Sequence, residues 1–169
     1  CGDSRVVVAA PPGADGEPGK KGRGGDDVVR FATRDHAPYC KIEQARLREG
    51  RDAGLDYSLP QCSLSRWWMT VGDYQYALCR SLEGTFATRK GIVSDPDVSA
   101  VPLGRAEGAV VVVSSDGLSE VMDNEQVGRE VLRMRREGVG AADAAKNLCG
   151  KVYDVGGTDN LSAIVLYLE

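Results

Sequence analysis

Apolar positions along this chain fall into two kinds of run: short unbroken ones of strand length, and longer stretches that repeat at helical spacing. Val6 to Ala10 is unbroken and β-branched, and predicts a buried strand. Between Pro11 and Asp27, three prolines, six glycines and scattered charges interrupt every period, which predicts a flexible loop or insertion. Val28 to Thr33 resumes as a strand, so the two runs predict a hairpin with an overlong connection. Lys41 to Glu49 predicts a helix with Ile42, Ala45 and Leu47 loosely on one side, and Gly50 is its expected stop. From Arg51 to Leu103 no period stands out. Short strands at Ser63 to Met69 and Ile92 to Val93 are predicted there within irregular chain.

The pattern sharpens from Gly108 onward. Ala109 to Ser114 is a continuous apolar run, which predicts a strand buried on both faces, and Asp116-Gly117 ends it in a turn. Asp123 with Gln126 makes a capping box, opening a helix that runs to about Arg136 and stops at Gly138 and Gly140. A second helix follows from Ala141 to Tyr153, with Ala141, Ala145, Leu148, Cys149 and Val152 on one stripe and Gly156-Gly157 after it. Leu161 to Leu168 is the last strand. From residues alone this is a mixed antiparallel domain with a helical hairpin before its final strand.

Composition narrows the function classes. The net charge of -4 argues against a basic field for nucleic acid or an anionic membrane. Lys20, Lys21 and Arg23 sit among glycines beside Asp26 and Asp27, as a solvated loop does. No apolar run approaches the roughly 20 residues of a membrane span. Gly2, Asp3, Ser4 and Arg5 do not resemble a signal peptide, so a cytoplasmic or nuclear location and a monomer are expected. The five cysteines are odd in number and irregularly spaced, which suggests neither a disulfide framework nor a zinc site. The chain opens on Cys1 rather than methionine, and the expectation is that a longer polypeptide precedes it.

Two aspartates occupy comparable places. Asp116 follows the run Ala109–Ser114, and Asp159 precedes the run Leu161–Leu168. If those strands are antiparallel neighbours, the end of one meets the start of the other and both carboxylates converge. Converging carboxylates repel unless a cation lies between them, and an oxygen-only site suits Mg²⁺ or Mn²⁺. By spacing alone, each is also read as an ordinary Asp-Gly or Asp-Asn turn residue, which is the commoner use of aspartate.

Val110 to Val127, with its Ser-Ser-Asp-Gly-Leu-Ser-Glu core, closely resembles the protein phosphatase 2C family. Thr158-Asp159-Asn160-Leu161 is similar to that family's closing Asp-Asn motif, and Gly2-Asp3-Ser4-Arg5 to its Gly-Asp-Ser-Arg motif. Thr33 to Pro38 resembles its Thr-x-Asp-His-x-Pro segment, and Ser94 to Val98 its proline motif beside a strand. Five motifs in family order are specific together, although each alone is weak. The resemblance implies an α+β fold, an antiparallel β-sandwich flanked by helices in four α-β-β-α layers and incomplete at its N-terminus. It implies one catalytic domain over residues 1–169, hydrolysing phosphoserine and phosphothreonine in phosphoprotein substrates by a metal-activated water. Asp116 and Asp159 are then ligands of a binuclear Mg²⁺ or Mn²⁺ centre. Asp3 matches a ligand of a third ion, for which Glu120 stands where the family has aspartate.

The departures from the family pattern matter as much. No Asp-Gly-His sequence occurs in the chain, and the family's phosphate-binding arginine lies before its Gly-Asp-Ser-Arg strand. The family's Ser-Arg-x-x-Gly-Asp motif has no clean match: Ser65-Arg66 comes several residues too early for Gly72-Asp73. Two other readings therefore stand: a pseudophosphatase with too few ligands, and a metal-free interaction module using Trp67 and Trp68. Those tryptophans otherwise read as packing residues.

Overall fold

A computed structural model describes residues 1–12, 27–82, 84–102 and 108–169. Most of the loop expected at Pro11 to Asp27, with its basic run, therefore lies outside the described residues. The elements in chain order are β1 (Arg5–Ala9), β2 (Val29–Ala32), α1 (Lys41–Asp52), β3 (Gln61–Ser63), β4 (Arg66–Val71), β5 (Tyr74–Tyr76), α2 (Thr85–Arg89), β6 (Val110–Ser114), α3 (Asp116–Ser119), α4 (Asn124–Arg136), α5 (Ala141–Asp154) and β7 (Ala163–Tyr167). Both sheets are antiparallel, so the class is α+β as expected. The chain forms two compact units, Cys1–Asp3 with Arg34–Ser99, and Ser4–Thr33 with Ala100–Glu169. No helix among the described residues is long and apolar enough to cross a membrane.

In the second unit the strand order is β2-β1-β6-β7. Val7, Ala9, Val110, Val112 and Val165 face one way and pack on Val127, Val131, Leu132, Leu148 and Val152 of α4 and α5. The expectation that β6 is buried on both faces is only half met. Its alternate residues Val111 and Val113 are half-buried, because α4 and α5 of this unit cover the opposite face. The capping box forms as predicted, with Gln126 N–H donating to Asp123 Oδ1 and Asp123 N–H to Gln126 Oε1, both at 2.8 Å. Arg135 closes the far end of the sheet by donating to the carbonyls of Ala109 (2.6 Å) and Leu168 (2.7 Å). Its guanidinium also lies 5.1 Å from the Tyr167 ring centre, within cation–π range.

The first unit has the three-stranded sheet β3-β4-β5 and a small core of Leu47, Met69, Val71, Cys79, Ala87 and Ile92. The predicted strand at Ser63 to Met69 is two strands, because Leu64 and Ser65 turn a two-residue hairpin with φ of 48° and 64°. Strand β5 and helix α2 had no predicted counterpart, and Ile92–Val93 contributes a single bridge, Val93 to Arg80. Trp67 is exposed and Trp68 half-buried, so the buried face of β4 is supplied by Met69 and Val71 rather than by the tryptophans.

Gly50 does not stop α1. The helix continues through it, and the glycine makes room for the Tyr57 ring, from which a Cβ would lie 2.4 Å. The stop is Gly54, at φ +86°, with Gly54 N–H bonded to the Arg51 carbonyl and Leu55 N–H to the Gly50 carbonyl. That is a Schellman cap. The buried face of α1 also departs from its hydrophobic pattern: Ile42 is half exposed, whereas Glu43, Gln44 and Leu47 are buried.

Glu43 is held by arginines. Arg80 Nε and Nη2 both donate to Glu43 Oε1, at 2.8 and 2.6 Å, and Arg46 Nε donates to Oε2 at 2.9 Å. Arg80 reaches on to Asp97 Oδ1 (3.0 Å) and the Asp95 carbonyl (3.0 Å), while Arg46 donates to the Cys79 and Gly91 carbonyls. Burial pushes the Glu43 carboxyl up, but the hydrogen bonds and charges of Arg80 and Arg46 outweigh it and hold the group below its ordinary value. The Arg80 guanidinium is correspondingly raised, first by its hydrogen bonds to Glu43. A side chain lowered in this way stabilises the fold fully above the ordinary glutamate value, near 4.5, and loses that contribution as pH falls through its value in the fold.

Removing one partner of a buried ion pair strands the others, at a cost of about 3–5 kcal/mol. Glu43→Ala is therefore expected to lower unfolding stability by that amount in urea titrations at pH 7. The deficit of Glu43→Gln against the native chain is expected to narrow on acidification below pH 4.5. A deficit that stays constant into strong acid would show that the charge on Glu43 is not what the network uses.

Candidate metal centre

The second unit brings the two sequence-predicted aspartates together by the register of its last two strands. Strand β6 pairs β7 antiparallel from Val110↔Tyr167 to Ser114↔Ala163, so the chain leaving β6 and the chain entering β7 lie side by side. Asp116 opens α3 on the first of these, and Asp159 sits just before β7 on the second.

Helix α3 supplies a third carboxylate. Glu120 N–H donates to the Asp116 carbonyl at 2.9 Å, one helical turn, which sets the two side chains on the same face. One carboxylate oxygen from each of Asp116, Glu120 and Asp159 lies within 4.8 Å of the others. Asp116 is half-buried, and Glu120 and Asp159 are exposed. Asp3, the fourth predicted ligand, belongs to the first unit and is not one of this trio.

Backbone contacts fix the approach. Asp116 Oδ1 accepts from Gly117 N–H (3.0 Å), and Asp159 Oδ1 accepts from Asn160 N–H (2.7 Å), so each carboxylate is oriented by the residue after it. Ser115 N–H donates to the Ser162 carbonyl at 3.0 Å. A Cβ on Gly117 would stand 2.9 Å from the Asn160 carbonyl oxygen and 3.6 Å from the Asp159 Cβ. Glycine after Asp116 is thus a requirement of close packing, because the Asp159 loop runs directly over it.

The donor set is oxygen only and partly open to solvent, leaving positions that water can fill. That suits a hard divalent cation such as Mg²⁺ or Mn²⁺, and the residues present fit one.

Residues of three further motifs, Gly2, His36 and Asp97, gather in the first unit. His36 Nδ1 lies 3.1 Å from the Gly2 carbonyl and Nε2 lies 3.1 Å from Asp97 Oδ2. Asp97 also meets Arg34 and Arg80, and its carboxyl is held low first by its hydrogen bond with His36. Arg34 and His36 of one motif and Asp97 of another, widely separated in sequence, thus share one ionic network. Arg80 escaped the sequence reading because a Ser-Arg pair was sought near Gly72, whereas the buried arginine follows a cysteine, Cys79.

The family model for protein phosphatase 2C matches residues 1–161. The chain belongs to the protein phosphatase 2C family. Among curated relatives, mouse protein phosphatase 1B is 28% identical over 171 residues, covering 98% of this chain and 37% of its own length. Human protein phosphatase 1A is 25% identical, covering 98% of this chain and 38% of its own length. The chain therefore spans little more than a third of these relatives. The fold is similar to that of a serine-threonine phosphatase 2C from Toxoplasma gondii, with a TM-score of 0.68, 19% identity, and coverage of 99% of this chain and 52% of the other. A C. elegans sex determining protein matches with a TM-score of 0.71 at 19% identity, over 99% of this chain and 35% of its own. Protein phosphatase 2C members are metal-dependent, and the acidic trio lies in the part of the chain that the family model covers.

Alanine has the better helix propensity by about 1 kcal/mol, yet Gly117→Ala is expected to destabilise the chain. The methyl group forces a backbone carbonyl to move, and overpacking of this kind costs about 1–3 kcal/mol. A thermal melt that rises on this substitution would show that the Asp159 loop yields freely.

Proposed function

We propose that this chain acts as part of a metal-dependent protein serine/threonine phosphatase, within a longer polypeptide, hydrolysing phosphoserine and phosphothreonine in phosphoprotein substrates. The observation that carries the reading is the convergence of Asp116, Glu120 and Asp159 within 4.8 Å in a protein phosphatase 2C chain. Asp116 and Asp159 serve the binuclear centre, and Glu120 serves a third and weaker ion. A divalent cation bound there supplies a water of lowered pKa and offsets charge on the phosphoryl oxygens. The chain's own groups bind and orient: the carboxylates act as ligands, and neither aspartate is a nucleophile. Cys79, the buried cysteine, is no candidate nucleophile, since burial and the nearby Glu43 push its thiol up to about 12, where it stays protonated.

A second reading is a pseudophosphatase, the same fold with too few metal ligands, used to bind partners or to regulate another enzyme. Activity of the complete protein separates the two.

The 169-residue chain alone, supplied with Mn²⁺, is expected to turn over neither a phosphoserine peptide nor p-nitrophenyl phosphate. Turnover near the 1–10³ s⁻¹ usual for enzymes would overturn the claim that the site needs residues beyond these.

In the complete protein, Asp116→Asn and Asp159→Asn are each expected to cut the rate more than tenfold, a barrier rise above about 1.4 kcal/mol. Folding stability without metal is expected to hold, because an asparagine at 159 still accepts from Asn160 N–H and removes a repulsion between carboxylates. A variant retaining most of the native rate would remove that residue from the ligand set.

A further inference from the structure

Ser115 occupies the position where a serine ordinarily caps its own helix by accepting from an N–H one turn on. Here it does not: it precedes α3 with extended backbone, φ -66° and ψ 168°, and its side chain makes no cap hydrogen bond. The hydroxyl is directed across to the segment between Asp159 and β7. It donates to the Asn160 carbonyl at 3.2 Å and accepts from Ser162 N–H at 3.1 Å.

The reason lies in the ladder. The regular pairs of β6 and β7 end at Ser114↔Ala163. At the next position Ser115 N–H still donates to the Ser162 carbonyl at 3.0 Å, but the Ser115 carbonyl has turned into α3 and faces Leu118 N–H at 3.4 Å. The bond that Ser162 N–H would make to that carbonyl in a continuing sheet is made to the Ser115 hydroxyl instead. One side chain thus extends the strand pairing by a residue while the backbone turns to place Asp116. Its second bond fixes Asn160, the residue next to Asp159.

We propose that Ser115 is a positioning residue for the cation site: its hydroxyl sets the separation of Asp116 and Asp159 and thereby the affinity for a divalent cation. The inference rests on the reading of Asp116, Glu120 and Asp159 as ligands, and adds a residue that touches no cation itself. Outer-shell partners of metal ligands typically change affinity by about 10–100-fold when removed. Without its hydroxyl, Ser115 leaves the Asn160 carbonyl and Ser162 N–H to water, and its own hold on the Asp159 loop falls to the backbone bond from Ser115 N–H to the Ser162 carbonyl.

The test is Mn²⁺ binding by the purified complete protein, followed through the free-ion electron paramagnetic resonance signal, for the native chain, Ser115→Ala, Ser115→Thr and Asp159→Asn. Circular dichroism on each metal-free variant reports folding separately. Ser115→Ala is expected to weaken Mn²⁺ binding by about tenfold or more while remaining folded, and Ser115→Thr, which keeps the hydroxyl, to restore most of the loss. If Asp159→Asn removes binding but Ser115→Ala binds as the native chain does, the positioning role is wrong and the ligand assignment survives. If the native chain shows no binding that depends on Asp159, the ligand assignment fails and the positioning role with it. A Ser115→Ala chain that melts early yet keeps native affinity when folded assigns the hydroxyl to stability alone, which also overturns the proposal.

Discussion

The antiparallel pairing of β6 with β7 is the constraint on which the candidate site depends. Its register brings Ser114 opposite Ala163, and from that follow the contact of Ser115 with Ser162 and the passage of the Asp159 loop over Gly117. A slip of one residue would turn Val165 and Tyr167 away from the helices and carry Asp159 out of reach of Asp116. Packing enforces the register from the other side. Val110, Val112 and Val165 are committed to the core with α4 and α5, and Arg135 ties Ala109 to Leu168 at the opposite end. Hydrophobic burial therefore fixes the strands, and the strands place charged groups that would not gather by themselves.

The first unit is organised by a different force. Its apolar core is small, and a charged cluster sits beside it in which Arg80 and Arg46 donate seven hydrogen bonds. Such clusters add little stability over a well-packed apolar equivalent, but they are unforgiving of loss. Their geometry is also directional. Arg80 fixes α1 through Glu43 and the Ser94–Val98 segment through Asp97, and His36 connects the latter to the backbone at Gly2.

Legibility in the sequence followed the physics of each region. The C-terminal elements could be read to within a few residues because periodicity, capping box and terminal glycines agreed at Asp123, Gln126, Gly138 and Gly156. The convergence of Asp116 with Asp159 was inferable from strand ends alone, and Glu120 from the family pattern. The first unit resisted because the buried face of α1 is largely polar: no hydrophobic period announces Glu43 or Gln44, and Arg80 is buried against the carboxylates of Glu43 and Asp97. Gly50 misled for a related reason, since a glycine that makes room for Tyr57 looks in sequence like a glycine that ends a helix. The role of Ser115 was hidden behind a more ordinary one, that of a helix cap.

A site assembled from two distant segments has a thermodynamic consequence. Asp116 and Asp159 are adjacent only while β6 and β7 are paired, so an ion held between them binds the folded chain and has little purchase on the unfolded one. By linkage, an ion at one hundred times its dissociation constant adds about 2.7 kcal/mol to the stability of that pairing. On the proposed reading, strand docking and ion occupancy would rise and fall together, and the free concentration of the bound cation would be one of the variables that decide how much of the chain is folded.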